Sequence, residues 1–202
     1  ASQDRQVFRK LFRYYQQARA QGTTMKNRLT SWLRHWGADI PAGAGFSHTK
    51  CERWLTQVVP AIHPALAAYQ AHLQQHEAYT TQCWERVETA GADYPEIQQF
   101  QKIPGCGPVR SHGLSALLMN PWRFPTASAL YAYCHLAVRK HRSAGRPVRR
   151  EQLHRAGHSQ IKALLDGIFH SAVRQSATDN EVRRFYQASL DRSRSADNAR
   201  LN

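Results

Sequence analysis

A serine in the C-terminal half of the chain lies within a short run of cations. Ser143 directly follows Arg142 and stands three residues before Arg146, in the run Lys-His-Arg-Ser-Ala-Gly-Arg. A serine hydroxyl is a poor nucleophile alone, but neighbouring guanidinium groups can hold a phosphodiester and stabilise the charge that develops when its phosphorus is attacked. In the simpler interpretation, which the residue types alone favour, Ser143 only hydrogen-bonds a phosphate in a flexible loop.

A second segment with chemical potential has the sequence Ile-Pro-Gly-Cys-Gly at residues 103–107. Gly105 and Gly107 allow a sharp turn, since glycine adopts positive φ at no steric cost, and Pro108 suits the first turn of a new helix. Such a turn points backbone N–H groups and a helix N-terminus at solvent, which favours binding of an anion. The pattern predicts the hairpin of a helix-hairpin-helix that grips nucleic-acid phosphates. An ordinary turn between two helices is the alternative.

The charge of the chain favours the interpretation of residues 103–107 as a hairpin that binds nucleic-acid phosphates. There are 28 Lys and Arg against 14 Asp and Glu, a formal net charge of +14, which is typical of proteins that bind polyanions. Residues 4–34 and residues 139–162 each contain eight basic residues and one acidic residue, whereas residues 51–100 contain two arginines and six carboxylates. Charged runs are often only solvated surface, yet two basic blocks around an acidic stretch predict nucleic-acid binding.

Several other classes of protein are not expected. The chain has no run of about 18 apolar residues that could span a membrane, and its polar first residues do not form a signal peptide. Its cysteines are too widely spaced for a zinc ribbon or a disulfide framework, so we expect free thiols in a reducing cytoplasm. Between residues 103 and 178 only Glu151 and Asp166 carry carboxylates, too few for a metal-dependent nuclease site. No metal or cofactor is therefore expected in this chain.

The elements that position these segments are predicted to be helices. Apolar residues recur at helical spacing through residues 4–36, and a 3.5-residue period from Leu55 to His76, through Leu66, Tyr69 and Leu73, is typical of a coiled-coil seam. Pro60 and Pro64 predict a break before a long helix that ends near Gly91. Shorter helices are expected over residues 95–101, 108–118, 126–136, 151–156, 158–174 and 179–192.

The predicted fold is therefore all-α. A long helical coiled-coil region covers residues 1–93, a compact helical domain with the helix-hairpin-helix covers residues 94–192, and residues 193–202 form a disordered tail. The seam can join two copies of the chain or pack against the first helix of its own chain. We expect the first, a homo-oligomer through the coiled coil.

Several motifs follow one another along the C-terminal half: Ile-Pro-Gly-Cys-Gly-Pro at 103–108, Trp-Arg-Phe at 122–124, Leu-Tyr-Ala-Tyr at 130–133, Ser-Ala-Gly at 143–145 and Arg-Ala-Gly-His at 155–158. In order and spacing they resemble the C-terminal transposase domain of the insertion-sequence-110 family, the bridge-RNA-guided recombinases related to Piv invertases. Residues 9–37 resemble the helix that follows the catalytic RuvC-like domain of that family. The resemblance spans roughly residues 5–190.

The resemblance implies a function. In the family a serine of the C-terminal domain attacks DNA and becomes covalently linked to it, and Ser143 matches that position. The partners are DNA and a structured guide RNA. Magnesium is expected only in a RuvC-like domain, after whose expected end this chain begins. The cell would be bacterial or archaeal, with the protein in the cytoplasm at the nucleoid.

The resemblance and the charge together assign nucleic-acid contacts to two sets of residues. The DNA set is Gly105, Gly107, Arg110, Arg139, Lys140, Arg142, Arg146, Arg149, Arg150, Arg155 and Lys162. The RNA set is Arg9, Arg13, Lys26, Asn27 and Arg28.

The chain departs from the family pattern around the serine. The family usually has Gly where His135 stands, often Pro at Val138, Asn at His158, and a Ser-Gly pair where this chain has Ser-Ala-Gly from Ser143. A diverged or domesticated nucleic-acid-binding protein without recombinase activity is therefore the alternative. A structural dimerisation module, whose charge only keeps it soluble, is a third interpretation.

Overall fold

The fold is all-α, as predicted, in a computed structural model that describes residues 2–139, 142–143, 146–147, 152–153, 157–175 and 179–192. The α-helices are α1 (Gln3–His35), α2 (His48–Leu55), α3 (His63–Gly91), α4 (Glu96–Gln101), α5 (Pro108–Leu118), α6 (Ala127–Tyr133), α7 (Ser159–His170) and α8 (Glu181–Arg192). Single 3-10 turns cover Pro60–Ile62 and Pro121–Arg123, and a π-helical turn covers Ser171–Gln175. The strands are β1 (Val138–Arg139), β2 (Arg142–Ser143), β3 (Arg146–Pro147) and β4 (Gln152–Leu153).

Most predicted helices are found close to their expected bounds. The break at Pro60 is a 3-10 turn, after which α3 runs without interruption to Gly91. The helix predicted over 151–156 is wrong in its described part, because Gln152 and Leu153 form β4, which pairs antiparallel with β1. The segment Val-Arg-Arg-Glu-Gln-Leu at 148–153 has too few apolar residues to show a helical or a strand pattern. Its sequence therefore could not distinguish a helix from a strand.

The chain divides into two compact units. The α1–α3 unit comprises residues 10–90, and the α4–α8 unit comprises residues 1–9 together with residues 91–202. The first turns of α1 thus pack with the C-terminal half of the chain. The predicted domain boundary between residues 93 and 94 remains a prediction about independent folding, and the predicted tail, 193–202, lies outside the described residues.

In the α1–α3 unit the two long helices pack antiparallel. Tyr15 on α1 meets Trp84 on α3 with ring centroids 5.1 Å apart, and Trp32, further along α1, meets Tyr69, earlier on α3, at 4.8 Å. A cluster of buried side chains fills the space between the three helices. Its residues come from the helices and from the segments that connect them. Its members are Leu29, Leu33, Ala38, Ile40, Cys51, Trp54, Leu55, Val58, Leu66 and Leu73.

The predicted seam is therefore used inside the chain at its centre. Leu66 and Leu73 are 3% and 0% exposed within this cluster, while Val59 at the start of the seam is 49% exposed. A heptad period indicates that one face of a helix is buried, but not whether the neighbouring helix belongs to the same chain. Contacts between copies of the chain would have to use faces other than the buried leucines.

In the α4–α8 unit α5 is the central helix. Every residue from Ser111 to Leu118 is buried, and α5 packs against both α4 and α7. Phe8, on the first turns of α1, completes this core with its ring centroid 5.0 Å from that of Tyr94. A continuous apolar run, rather than an amphipathic stripe, is what a helix surrounded by neighbours requires.

Among the described residues, no helix combines the length and the apolar character needed to cross a membrane.

Candidate nucleic-acid interface and nucleophile

The glycine-rich turn connects α4 to α5. The N–H of Cys106 donates to the carbonyl of Ile103 at 2.9 Å, and Gly105 adopts φ +81°, which closes the turn. Gly107 is the cap residue of α5, so the first turn of that helix has no side-chain cap, and Pro108 occupies its first position. The local structure is thus the one that the residue types predict: a left-handed glycine, then a helix that starts at proline.

The two glycines of the turn face different surroundings. A Cβ on Gly105 would lie 2.4 Å from the carbonyl oxygen of Ile168 on α7 and 2.6 Å from the backbone nitrogen of Ala172 in the π-helical turn that follows it. A Cβ on Gly107 would have no atom within 4 Å, and the residue is exposed. Gly105 therefore lets the turn pack onto α7, whereas Gly107 leaves room for an approaching group at the start of α5.

Arg110 holds this turn against α7. Its Nη1 donates to the carbonyl of Gly105 at 2.9 Å and to the hydroxyl of Ser171 at 2.8 Å. Its guanidinium also fills the space beside Gly167, where an added Cβ would be 3.1 Å from Nε. The predicted contact of Arg110 with DNA remains a prediction. In the structure the side chain positions the turn through contacts that the sequence did not reveal.

Ser143 lies in a hairpin segment between α6 and α7, whose strands form two separate two-stranded sheets, β1 with β4 and β2 with β3. Val138 pairs with Leu153 and Arg139 with Gln152 at its base, and Arg142 pairs with Pro147 and Ser143 with Arg146 beyond. The described part of the segment is thus extended and paired, not the loop expected from its composition. Ser143 is the last residue of β2, and the backbone register places it directly across from Arg146.

The base of the hairpin is anchored on the C-terminal end of α6. A Cβ on Gly157 would lie 2.8 Å from Cα of His135 and 2.9 Å from the carbonyl oxygen of Ala132, so only glycine permits this approach. The N–H of His158 donates to the carbonyl of Tyr133 at 2.8 Å. These contacts bring together the chain before β1 and the chain after β4. The close approach explains why a glycine stands at position 157.

The family model described as Transposase IS116/IS110/IS902 family matches residues 97–187 of the chain. This segment of the chain is similar to members of that transposase family. The match confirms the resemblance to insertion-sequence-110 transposases for this part of the chain, and it includes the turn, the hairpin with Ser143 and the Gly157–His158 anchor. The match supports a transposase or recombinase function for this part of the chain. No curated protein matches the chain.

The cations predicted to contact DNA in this segment are only partly within the described residues. Arg139, Arg142 and Arg146 lie in β1, β2 and β3. Lys162 is half-buried in the first turns of α7. Lys140, Arg149, Arg150 and Arg155 lie outside the described residues. Arg142 and Arg146 thus lie in the same two-stranded sheet as Ser143, whereas Arg139 lies in the other one. The role of all three as phosphate ligands remains a prediction.

The residues predicted to contact RNA all lie on α1, in two kinds of surroundings. Arg13, Asn27 and Arg28 are exposed. Lys26 is paired with Glu77 through a 2.7 Å contact in the α1–α3 unit. Arg9 lies in the other unit, where its Nη1 is 3.7 Å from Sδ of Met119 and its Nη2 is 3.5 Å from Nε2 of His158.

Glu96 forms a buried polar network in the α4–α8 unit that sequence reasoning missed. Its Oε1 accepts from Nη1 of Arg5 at 2.6 Å and from the hydroxyl of Ser115 at 2.7 Å. Arg5 also donates to the carbonyl of Met119 and lies 4.2 Å from the ring centroid of Tyr94. Burial by itself raises the pKa of Glu96, but the hydrogen bonds from Arg5 and Ser115 outweigh it, so the pKa lies below the ordinary 4.5. In the sequence Arg5 is one of eight cations in a basic block, so nothing distinguished it as the partner of a buried carboxylate.

This network predicts a pH dependence of stability. Because the pKa of Glu96 is lowered by folding, its contribution is complete above about pH 5 and is lost as the pH falls through the lowered pKa. Glu96→Gln should reduce the free energy of unfolding by about 2 kcal/mol at pH 7, the scale of a hydrogen bond to a charged group. It should also weaken the fall in the free energy of unfolding that the wild type shows as the pH drops below about 5. Urea denaturation followed by circular dichroism measures both. Asp93→Asn, at an exposed carboxylate in the same unit, is the control and should change neither. If Glu96→Gln and the wild type lost stability equally as the pH fell below about 5, the proposed role of the network would be contradicted.

No group of three or more His, Cys, Asp or Glu side chains that could hold a metal occurs in the described part of the chain. The four cysteines are buried free thiols. Burial raises the pKa of Cys106, in the turn, to about 11, against a smaller opposite effect of Arg110, so this thiol is protonated at neutral pH and is a poor nucleophile.

Proposed function

We propose that this chain binds DNA and a structured guide RNA, and that Ser143 is the nucleophile for strand exchange. The observation that carries the proposal is the register of the hairpin. Within the segment that matches the transposase family, the backbone sets a hydroxyl-bearing residue directly across from Arg146, with Arg142 adjacent in sequence. Guanidinium groups are suited to holding a phosphodiester and to balancing the charge that develops on it.

The proposed step is a transesterification. The Oγ of Ser143 forms a bond to the phosphorus of one DNA phosphodiester, and the bond from that phosphorus to one deoxyribose oxygen breaks. The serine proton leaves with a base, and the released sugar oxygen takes up a proton to become a hydroxyl. The covalent serine–phosphate ester conserves the energy of the broken bond, so a second sugar hydroxyl can reverse the step on a different strand. The arginines of β2 and β3 hold the phosphate during both halves.

DNA binding is proposed to involve the start of α5 as well as the hairpin. Gly107 is exposed, and α5 begins beside it without a side-chain cap. A helix N-terminus attracts phosphate through its N–H groups and its dipole. Gly105 contributes indirectly, since its packing on α7 sets the direction of α5.

The guide RNA is proposed to lie along α1 in the α1–α3 unit. Arg13 and the pair Asn27–Arg28 are exposed on one helix, separated by about 21 Å of helix at 1.5 Å per residue. This distance suits contacts with separate phosphates of a folded RNA backbone. The metal that the family resemblance implies is proposed to be held by carboxylates of a RuvC-like domain.

A non-catalytic nucleic-acid-binding protein is the second candidate. His135 adopts φ +64° at the position where the family usually has glycine, and it lies against Gly157 at the base of the hairpin. A side chain in the left-handed region costs about 1–3 kcal/mol. Such a change beside the serine segment favours a diverged member that has kept binding and lost exchange.

The salt dependence of binding tests the part of the proposal that both candidates share. The affinity for duplex DNA should fall steeply as salt rises, with a log–log slope of about −0.9 for each phosphate contact. Removal of one contacting cation, as in Lys162→Gln, should make the slope shallower by about 0.9. Lys50→Gln, at an exposed lysine of the other unit, should leave it unchanged. Fluorescence anisotropy at several salt concentrations measures the slope, and a flat dependence would rule out polyanion binding.

A further inference from the structure

Trp122 is an exposed indole in the transposase domain. Its side chain is 71% exposed, compared with 53% for Tyr131 and 53% for Phe185 in the same unit. Leaving so large an apolar surface in water forgoes about 25 cal/mol for each Å² that could have been buried. An indole at a surface position therefore points to a binding role rather than to a role in the core.

The turn that carries Trp122 is closed by two hydrogen bonds to Asn120. The side chain of Asn120 accepts from the N–H of Trp122 at 3.0 Å, and the carbonyl of Asn120 accepts from the N–H of Arg123 at 3.2 Å. Pro121 restricts φ in the first position of the same 3-10 turn. The indole is thus presented on a preformed backbone, which reduces the entropy lost when a ligand binds.

Arg123, the next residue, is ordered by two aromatic rings. Its guanidinium carbon lies 4.7 Å from the centroid of Phe124 and 4.7 Å from that of Tyr133. The hydroxyl of Tyr133 donates to the carbonyl of Leu117 on α5 at 3.3 Å, which ties this arrangement to the central helix. An ordered cation therefore adjoins the exposed indole.

We infer that Trp122 stacks on an unpaired nucleobase of a single strand, while Arg123 contacts a neighbouring phosphate. The inference rests on the proposed nucleic-acid binding and gives it a specific site. Charge complementarity identifies the occupant, since a chain of net charge +14 attracts a polyanion, and an indole beside an arginine matches a base beside its phosphate. The base must be unpaired because the faces of bases in a duplex are already stacked.

Binding of a twelve-nucleotide oligo-dT and an oligo-U of the same length tests the inference. Trp122→Ala should weaken binding to at least one of these strands between about 5- and 150-fold, the range for loss of one stacked base, whereas Trp122→Phe should retain most of the affinity. The log–log salt slope should not change, because no cation is removed. On an abasic strand of the same length, wild type and Trp122→Ala should bind equally. Comparison of the dT and U strands identifies which polymer is bound.

Phe185→Ala is the matched control, since it removes another exposed aromatic ring of the same unit, and circular dichroism verifies that each variant is folded. Equal affinities of wild type and Trp122→Ala on both base-containing strands would overturn the stacking role and leave the proposed function standing. An equal loss with Phe185→Ala, or a loss that persists on the abasic strand, would also overturn it. Wild-type protein that binds none of the strands and no duplex would instead refute the proposed function.

Discussion

Ser143→Ala is expected to abolish covalent attachment to DNA and strand exchange, while DNA binding stays near the wild-type level. The variant loses only a hydroxyl from a cationic segment, so phosphate contacts persist but no Oγ–phosphorus bond can form. We expect a fall in exchange rate of at least about 10³-fold, because loss of a serine nucleophile costs up to about 10⁶ in other enzymes. The assay uses a transposase that contains this segment together with a RuvC-like domain and guide RNA. Protein–DNA adducts are resolved on a denaturing gel.

Two further variants complete this experiment. Ser128→Ala, at an exposed serine of α6 in the same unit, should form adducts like the wild type. Ser143→Cys retains a nucleophilic atom and should form a thiophosphate-linked adduct at a reduced rate. Adducts that persist in Ser143→Ala would show that a different residue attacks. No adduct in the wild-type complex would favour the non-catalytic candidate.

The two glycines of the turn are expected to respond in opposite ways to the same substitution. Gly105→Ala should reduce the free energy of unfolding by about 2–5 kcal/mol, combining about 1–2 for a left-handed alanine with about 1–3 for overpacking. The cause is the backbone of α7, which would lie 2.4 Å from the new Cβ. Gly107→Ala should be neutral or stabilising by up to about 1 kcal/mol, because its backbone, with φ −71° and ψ 176°, suits any residue. Urea denaturation compares them.

Gly107 also gives a test of phosphate binding that does not perturb the fold. Gly107→Val places a branched side chain at the uncapped start of α5, where it should crowd a phosphate and weaken duplex binding while stability stays near that of Gly107→Ala. Unchanged affinity in a folded Gly107→Val protein would reduce the turn to a structural role. A Gly105 variant cannot provide this answer, because its loss of stability would itself lower binding.

Much of the local structure could be predicted from the residues. The helix expected over 108–118 has the bounds of α5, because a proline start and a long apolar run are strong signals. The left-handed backbone of the turn follows in the same way from its glycines. The serine segment was harder, since its paired strands are only two residues long and leave no alternating pattern to detect. Charge and motifs indicated which segment contains the candidate site, but they did not predict its paired strands.

Contacts between distant parts of the chain were beyond such reasoning. The heptad period predicted a buried face on α3. Only the packed structure shows that Leu66 and Leu73 are covered by helices of the same unit. Arg110 looks like a DNA-binding cation in the sequence, and folding brings it to Ser171, 61 residues away. Charge, period and turn chemistry are properties of neighbouring residues, so they can be recognised locally. Which surfaces meet depends on the combined packing of all helices, and that arrangement sets which cations hold the fold together and which face the solvent.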